Sequence, residues 1–195
     1  MPITLPPGAP RPFNAVPDSV VTWVHVYGSL MEDDPIRHSK VNARSSVAIR
    51  NIIKDLLVAN DVSPKSILIL SPSAAQNIKH GETLSQLHAE FPDKNYKDIT
   101  VELLGESQGT VFRTVIIDVV FTDEAGRLKE PNYLTTALDR AGCSTFIVAD
   151  TQKLRHIPAE RSRALIEYFD DLETRIDFRQ VVCGDTDDAA IRIII

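Results

Sequence analysis

The sequence predicts an α/β fold in which helices wrap a mainly parallel sheet. Short apolar runs rich in Val and Ile alternate along the chain with longer segments whose apolar residues recur every three or four positions. The run at 66–70 is uninterrupted, as is typical of a strand buried on both faces of a parallel sheet. The 195 residues are 43% hydrophobic and 25% charged, enough for one sizeable core. We therefore predict one α/β domain.

The first half of the chain supplies two strands and two helices of this pattern. "VVTWVHVYG" at 20–28 alternates β-branched and aromatic residues, which predicts a strand, and the polar segment 31–40, interrupted by Pro35, predicts a loop. Apolar residues at three- and four-residue steps predict a helix over 41–59, followed by the strand at 66–70. Residues 71–91 favour a helix that breaks or kinks near Gly81.

The second half repeats the alternation. Strands are predicted at 98–104, 113–121 and 144–150, and helices at 132–141 and 158–173. Residues 1–19 contain six prolines, which favours an extended arm or linker before a domain spanning 20–185. Residues 186–195 are assigned to a tail, in which "IRIII" forms either a last strand or a disordered end.

Composition excludes several classes of protein. The formal net charge of −6 argues against a duplex-binding protein that relies on overall positive charge. Cys143 and Cys183 form no CxxC pair and the five histidines show no ligand spacing, so we expect buried structural thiols and no metal site. No apolar run approaches the roughly 20 residues of a membrane span, and the opening segment lacks a signal-peptide pattern. A cytoplasmic or nuclear location is therefore expected.

Familiar nucleotide-binding motifs are absent. The sequence contains no G-x-G-x-x-G after a strand and no G-x-x-x-x-G-K-[ST] phosphate loop. A P-loop binds phosphates through backbone N–H groups and one lysine, so this chain has no self-sufficient triphosphate site of that kind. The missing dinucleotide fingerprint likewise disfavours a Rossmann-like small-molecule enzyme.

Candidate site residues follow from the position of the predicted strands. In open α/β sheets ligands bind beyond the carboxyl ends of strands. This places five polar candidates in or near the connections between predicted elements: Ser71, Gln76, Gln108, Arg140 and Asp150. For each of them the alternative is a turn or a helix cap.

Four segments resemble a known family. "HSKVNARSSVAIRNIIKDLL", "SILILSPSAAQ", "ITVELLGESQGTVFRTVIIDVVF" and "LTTALDRAGCSTFIVAD" occur in the order of the motifs in the second RecA-like domain of superfamily 1 helicases of the nonsense-mediated-decay and senataxin group. The resemblance runs from about residue 21 to residue 183. It implies a RecA-like domain of the P-loop NTPase type that lacks its own P-loop.

The resemblance also assigns roles to matching residues. Asn42, Gln76, Gln108 and Gly109 match nucleotide-binding or coupling positions, and "SQG" looks like the motif that couples ATP state to the grip on nucleic acid. Arg140 would be the arginine finger that reaches across a domain cleft to the γ-phosphate. The alternative is an arginine that pairs with Asp139, with Asp118 or with a helix end.

Departures from the family pattern remove charges and a stacking surface. The chain carries Ala43, Ser45, Ser73, Thr110 and Val111 where the family has charged or aromatic residues. We therefore expect a degenerate motor half that is inactive alone and uses ATP and Mg²⁺ only with a P-loop domain supplied in cis or by another protein. Weak binding of single-stranded RNA or DNA is expected, with Tyr96 and Tyr133 as stacking candidates. The alternative is a non-catalytic protein-interaction module.

Overall fold

A central sheet organises the molecule. The computed structural model describes residues 20–106, 109–122, 126–173, 179–183 and 192–194. The strands are β1 (Val20–Val26), β2 (Glu32–Asp34), β3 (Ser39–Val41), β4 (Ile67–Ser71), β5 (Thr100–Leu103), β6 (Phe112–Asp118), β7 (Ala141–Ala149), β8 (Arg179–Cys183) and β9 (Arg192–Ile194). The main sheet has the order β5-β4-β6-β7-β1-β8-β9, in which all pairs are parallel except β8 with β9.

Helices cover both faces of this sheet. They are α1 (Ala43–Lys54), α2 (Ala74–Glu90), α3 (Pro131–Leu138), α4 (Thr151–Arg155) and α5 (Ala159–Glu173), and one π-helical turn, Asp55–Ala59, extends α1. One core layer packs the apolar stripes of α1 and α2 on the sheet, with Ile52 and Leu87 fully buried. The other packs α3 and α5, where Phe169 meets Trp23 edge to face at 4.5 Å. The predicted α/β class with a parallel sheet wrapped by helices is confirmed.

Several predicted elements need correction. The segment 31–40 is the β2–β3 hairpin, because the Asp34 side chain accepts hydrogen bonds from the amides of Ile36 and Arg37 and so turns the chain at Pro35. Helix α2 runs through Gly81 without a break, since a single glycine costs a helix only about 1 kcal/mol. Arg192–Ile194, in the expected tail, pair antiparallel with β8.

Two side-chain expectations are also wrong. Cys143 is exposed, because the first residues of β7 lie at the amino edge of the sheet, where the strand is only partly covered. The structure describes the backbone of Cys183 but not its side chain, so the expectation for this thiol is not tested, and the predicted arm at 1–19 lies outside the described residues. Tyr96 is fully buried against Phe91 and offers no surface for stacking on a base.

Within the described ranges, no helix is long and apolar enough to cross a bilayer.

Candidate functional site

Asn42 and Gln76 meet at the carboxyl edge of the sheet. Asn42 caps α1, with its Oδ1 accepting the Ser45 amide at 3.2 Å, and Gln76 lies in the first turn of α2. Gln76 Oε1 accepts the Asn42 amide at 2.8 Å, and Gln76 Nε2 lies 3.2 Å from the Asn42 carbonyl oxygen. The two residues therefore bind each other and join the starts of two helices.

Asp118 lies beneath this pair, as the last residue of β6, and has no exposure to solvent. Its Oδ2 accepts Gln76 Nε2 at 2.7 Å and Ser45 Oγ at 3.0 Å, and lies 2.9 Å from His80 Nε2. Its Oδ1 accepts the Val120 amide at 3.0 Å. A buried carboxylate is costly unless donors surround it, and these four contacts supply them. We call Asn42, Ser45, Ser46, Gln76, His80 and Asp118 the buried polar network.

Sequence reasoning missed His80 and Asp118. A signal existed for each: Asp118 interrupts the apolar run of a strand, and His80 follows Gln76 by four residues, which puts both on one face of a helix. His80 is only 1% exposed, so the ring contacts the carboxylate and not solvent. The network is positioned to fix helix starts rather than to meet a ligand directly.

Val120 adds strain to the same edge. Its φ is +64°, in a region that β-branched residues rarely adopt, and its side chain is 2% exposed. Asn42 Nδ2 donates to the Val120 carbonyl oxygen at 3.0 Å and to Ser29 Oγ at 2.8 Å. The network therefore binds both backbone groups of Val120: Asp118 Oδ1 accepts its amide, and Asn42 Nδ2 donates to its carbonyl oxygen. Such strain occurs most often at functional sites.

Asp150 and Ser71 both have structural partners. Asp150 caps α4 through the Lys153 amide at 3.1 Å, and its other oxygen accepts the Ser29 amide at 3.2 Å. Ser71 Oγ lies 2.8 Å from Asn77 Oδ1 and is fully buried. For these two candidates, the structure therefore shows the cap or turn contacts that the sequence analysis gave as the alternative to a binding role.

His25, a residue of β1, lies near Asp150. Its Nδ1 accepts the Thr151 amide at 3.1 Å and lies 2.7 Å from Thr151 Oγ1. Burial lowers the pKa of His25, and the nearby Asp150 carboxylate opposes that shift. The neutral ring therefore accepts at Nδ1 and holds the start of α4 against the end of β1.

Arg140 lies at the opposite, amino edge of the sheet. It precedes β7, and its carbonyl oxygen accepts the amide of Phe112, the first residue of β6, at 2.8 Å. Its inclusion among residues at carboxyl ends was therefore wrong. Residues 112–118 of β6 separate it from Asp118 by about 20 Å at roughly 3.3 Å per residue.

The Arg140 guanidinium is committed to neighbours within the domain. Nε donates to the Thr110 carbonyl oxygen at 2.5 Å, and Nη2 lies 3.6 Å from Glu102 Oε2. The guanidinium carbon lies 5.7 Å from the centre of the Phe112 ring, and the residue is 5% exposed. The carboxylate seen with Arg140 is that of Glu102, not the Asp139 or Asp118 that the sequence suggested.

Gly109, the glycine of the "SQG" motif, immediately precedes Thr110, whose carbonyl oxygen accepts the Arg140 hydrogen bond. Gly109 has φ +87°, and a Cβ atom added there would have no described atom within 4 Å. Gln108 lies outside the described residues. The structure thus joins the candidate residues into two groups, Asn42 with Gln76 at one edge and Arg140 with the segment after Gly109 at the other.

A groove lies beside Glu102, the acidic partner of Arg140. It has a volume of about 500 Å³ and is lined by Ala74, Asn77, Ile78, Val101, Glu102, Leu103 and Glu106. It therefore opens between the start of α2 and the edge strand β5. No group of three or more His, Cys, Asp or Glu side chains that could hold a metal ion occurs in the part of the chain that the structure describes.

Comparison with known protein families identifies a match. A family model described as an AAA domain matches residues 11–152, well over half of the chain. This domain is found in superfamily 1 helicase-like proteins. No curated protein matches the chain.

Proposed function

Because the chain belongs to this AAA domain family of superfamily 1 helicase-like proteins, we propose that it is the second RecA-like half of a helicase motor. Within that family the nonsense-mediated-decay and senataxin group is the proposed subgroup. The observation that carries the proposal is the contact between Arg140 and Thr110. It brings the proposed arginine finger against Thr110, the residue after Gly109, and this contact supports a shared role for the two proposed nucleotide motifs.

In this proposal the two edges of the sheet have different tasks. The amino edge contributes Arg140 and Gly109 to an ATP site that a P-loop domain completes, in cis or from another protein, and Gln108 is a further proposed member of that site by its motif alone. ATP with Mg²⁺ supplies the phosphoryl group there, and a guanidinium stabilises the charge that develops during transfer. At the carboxyl edge, Asn42 and Gln76 hold the starts of α1 and α2 in place. Single-stranded RNA or DNA is the proposed nucleic-acid partner.

The chain alone is proposed to be inactive, because it lacks a phosphate loop and the charged residues of several motifs. The test measures phosphate release by the chain alone and after addition of a P-loop motor domain from its own reading frame or a companion gene. We expect less than about 0.1 turnovers per second alone, against roughly 1–100 per second for phosphoryl-transfer enzymes such as kinases. Addition of the P-loop domain should raise the rate, and Arg140→Lys should remove the increase. Turnover by the chain alone, or no increase on mixing, contradicts the proposal.

A second function, a non-catalytic protein-interaction module, is favoured by one observation. Arg140 is 5% exposed and already bound to Thr110 and close to Glu102, whereas an arginine finger must reach a phosphate on another domain. The module would bind the P-loop domain without changing its ATP turnover. Titration of the chain into that domain, with ATPase and binding measured in parallel, separates the two functions.

A further inference from the structure

We propose that Glu102 holds Arg140 in a withdrawn position and thereby controls how readily its guanidinium reaches an anion. This inference rests on the proposed function, since a withdrawn arginine finger needs a site to serve. It concerns Glu102, which the resemblance to the helicase family does not assign. In this role Glu102 is a positioning residue that acts through Arg140.

The contact between the two side chains is an ion pair without a hydrogen bond. Arg140 Nη2 lies 3.6 Å from Glu102 Oε2, beyond normal hydrogen-bond distance, and this oxygen is shielded from solvent with no hydrogen-bond partner. A carboxylate in that state attracts the guanidinium through charge alone. An incoming phosphate can therefore replace it without the loss of a directional bond.

The backbone of Arg140 is fixed by a hydrogen bond between strands, whereas its side chain is held by contacts that a change of rotamer would break. The Phe112 amide binds the Arg140 carbonyl oxygen, which locks the residue to the starts of β6 and β7. The described contacts of the guanidinium include the Thr110 carbonyl oxygen, Glu102 and the Phe112 ring. A rotation of the side chain alone would release it, and Glu102 is the anionic one of these three groups.

Solvent and small ligands can also reach the Glu102 side chain. Its side chain is 32% exposed, and it lines the groove of about 500 Å³ beside β5. Glu106 lines the same groove and is exposed, but it forms no ion pair with Arg140 among the contacts described. Glu106 therefore provides a matched control, because its replacement removes the same charge from the same groove without touching the arginine.

The test measures binding of inorganic pyrophosphate to the whole chain by NMR, through the Arg140 Nε–H signal. A donor held at 2.5 Å from a carbonyl should give a protected signal, which Arg140→Lys identifies by its loss. Glu102→Gln should bind pyrophosphate roughly three- to tenfold more tightly at this signal, the range expected for a partly buried ion pair. Glu106→Gln should change the affinity less than twofold. The gain should vanish in the double variant Glu102→Gln, Arg140→Lys when it is compared with Arg140→Lys alone, and isothermal titration calorimetry measures pyrophosphate binding in these two variants because they lack the Arg140 signal.

Three results overturn the inference: equal affinity in the wild type and Glu102→Gln, an equal gain in Glu106→Gln, or a gain that survives in the double variant. If Glu102→Gln does not fold, hydrogen exchange of the Arg140 Nε–H in the wild type replaces it. Exchange should then accelerate with added salt, which screens the pair, and salt-independent exchange contradicts the inference. The measurement needs no P-loop domain, so a positive result together with absent ATPase in the mixture would reject the proposed function alone.

Discussion

Gln76 Nε2 donates a 2.7 Å hydrogen bond to Asp118 Oδ2, and neither side chain is exposed to solvent. The same glutamine accepts the Asn42 amide through Oε1. One side chain thus satisfies a buried carboxylate and a helix-starting amide. Both groups would be left with unmet hydrogen-bonding capacity if the amide were removed, because the surrounding core excludes water.

Gln76→Met should therefore destabilise the fold while it preserves the volume of the side chain. We expect the free energy of unfolding to fall by roughly 2–5 kcal/mol, from one unsatisfied amide and one lost bond to a charged group. Urea denaturation measures this. The control is Gln152→Met, since Gln152 is exposed on α4 and should change stability by less than about 0.5 kcal/mol. Equal stability of the two variants would show that the contacts of Gln76 contribute nothing to folding.

The strain at Val120 predicts a reversal of the usual order of alanine and glycine. At φ +64° alanine keeps a Cβ atom that glycine lacks, so Val120→Gly should be more stable than Val120→Ala by roughly 1–2 kcal/mol. The neighbouring Val119 is also buried but has no positive φ. There glycine should be the worse replacement, by roughly 0.5–1 kcal/mol. Thermal or urea unfolding of the four variants checks the reversal, and the same order at both positions would contradict it.

The fold was predictable from the sequence because the spacing of apolar residues along the chain matches the buried faces of the strands and helices that they form. The uninterrupted run at 66–70 and the helical spacing after Val41 each have one physical solution, a doubly covered strand and an amphipathic helix. The hairpin at Glu32–Val41 was missed because its turn depends on the Asp34 side chain rather than on hydrophobic alternation.

The candidate site was predictable only in part. Asn42 and Gln76 were found as single motif positions, but their mutual hydrogen bonds join residues 34 positions apart, which no local pattern reveals. The amino-edge location of Arg140 did follow from the sequence, because the residue precedes the predicted strand at 144–150, and its grouping with the carboxyl ends overlooked this. Its partner Glu102 belongs to a strand three places away in the sheet.

The lowered pKa of His25 predicts a loss of stability in mild acid. Burial is the main cause of the shift, so the folded state resists protonation, whereas the unfolded chain takes up a proton near the ordinary value of about 6.5. The contribution is fully present above that value and is lost as the pH falls toward the lower pKa of the folded state. His25→Gln should therefore show a shallower fall in melting temperature between pH 7.5 and 5.5, values chosen to bracket about 6.5.

The control for this measurement is His38→Gln, because His38 is exposed in the β2–β3 hairpin. It should retain the pH dependence of the wild type, whatever its effect on stability at a single pH. Identical pH profiles for His25→Gln and the wild type would show that the burial of His25 has no linkage to folding.

Affinity for single-stranded nucleic acid should be weak. The net charge is −6, and of the two aromatic residues considered for stacking Tyr96 is fully buried. The ring of Tyr133 is partly covered by Arg127, whose guanidinium carbon lies 5.8 Å from its centre. We expect a dissociation constant no tighter than the roughly 10⁻⁴–10⁻⁶ M of non-specific binding at physiological salt. Fluorescence anisotropy with a labelled oligonucleotide measures it, and nanomolar binding would contradict the degenerate interpretation.

Replacement of Arg140 distinguishes a structural role of its guanidinium from the role of an exposed arginine finger. The residue is 5% exposed, binds the Thr110 carbonyl and packs on Phe112, so Arg140→Ala removes a hydrogen bond and buried contacts. We expect the free energy of unfolding to fall by roughly 1–3 kcal/mol, below the 3–5 kcal/mol of a fully buried pair, because Glu102 keeps access to water. Arg113→Ala, at an exposed position on β6, is the control and should stay within about 0.5 kcal/mol of the wild type. If Arg140→Ala melts with the wild type, the guanidinium contributes no structural contact in solution and is available to a phosphate without release from Glu102.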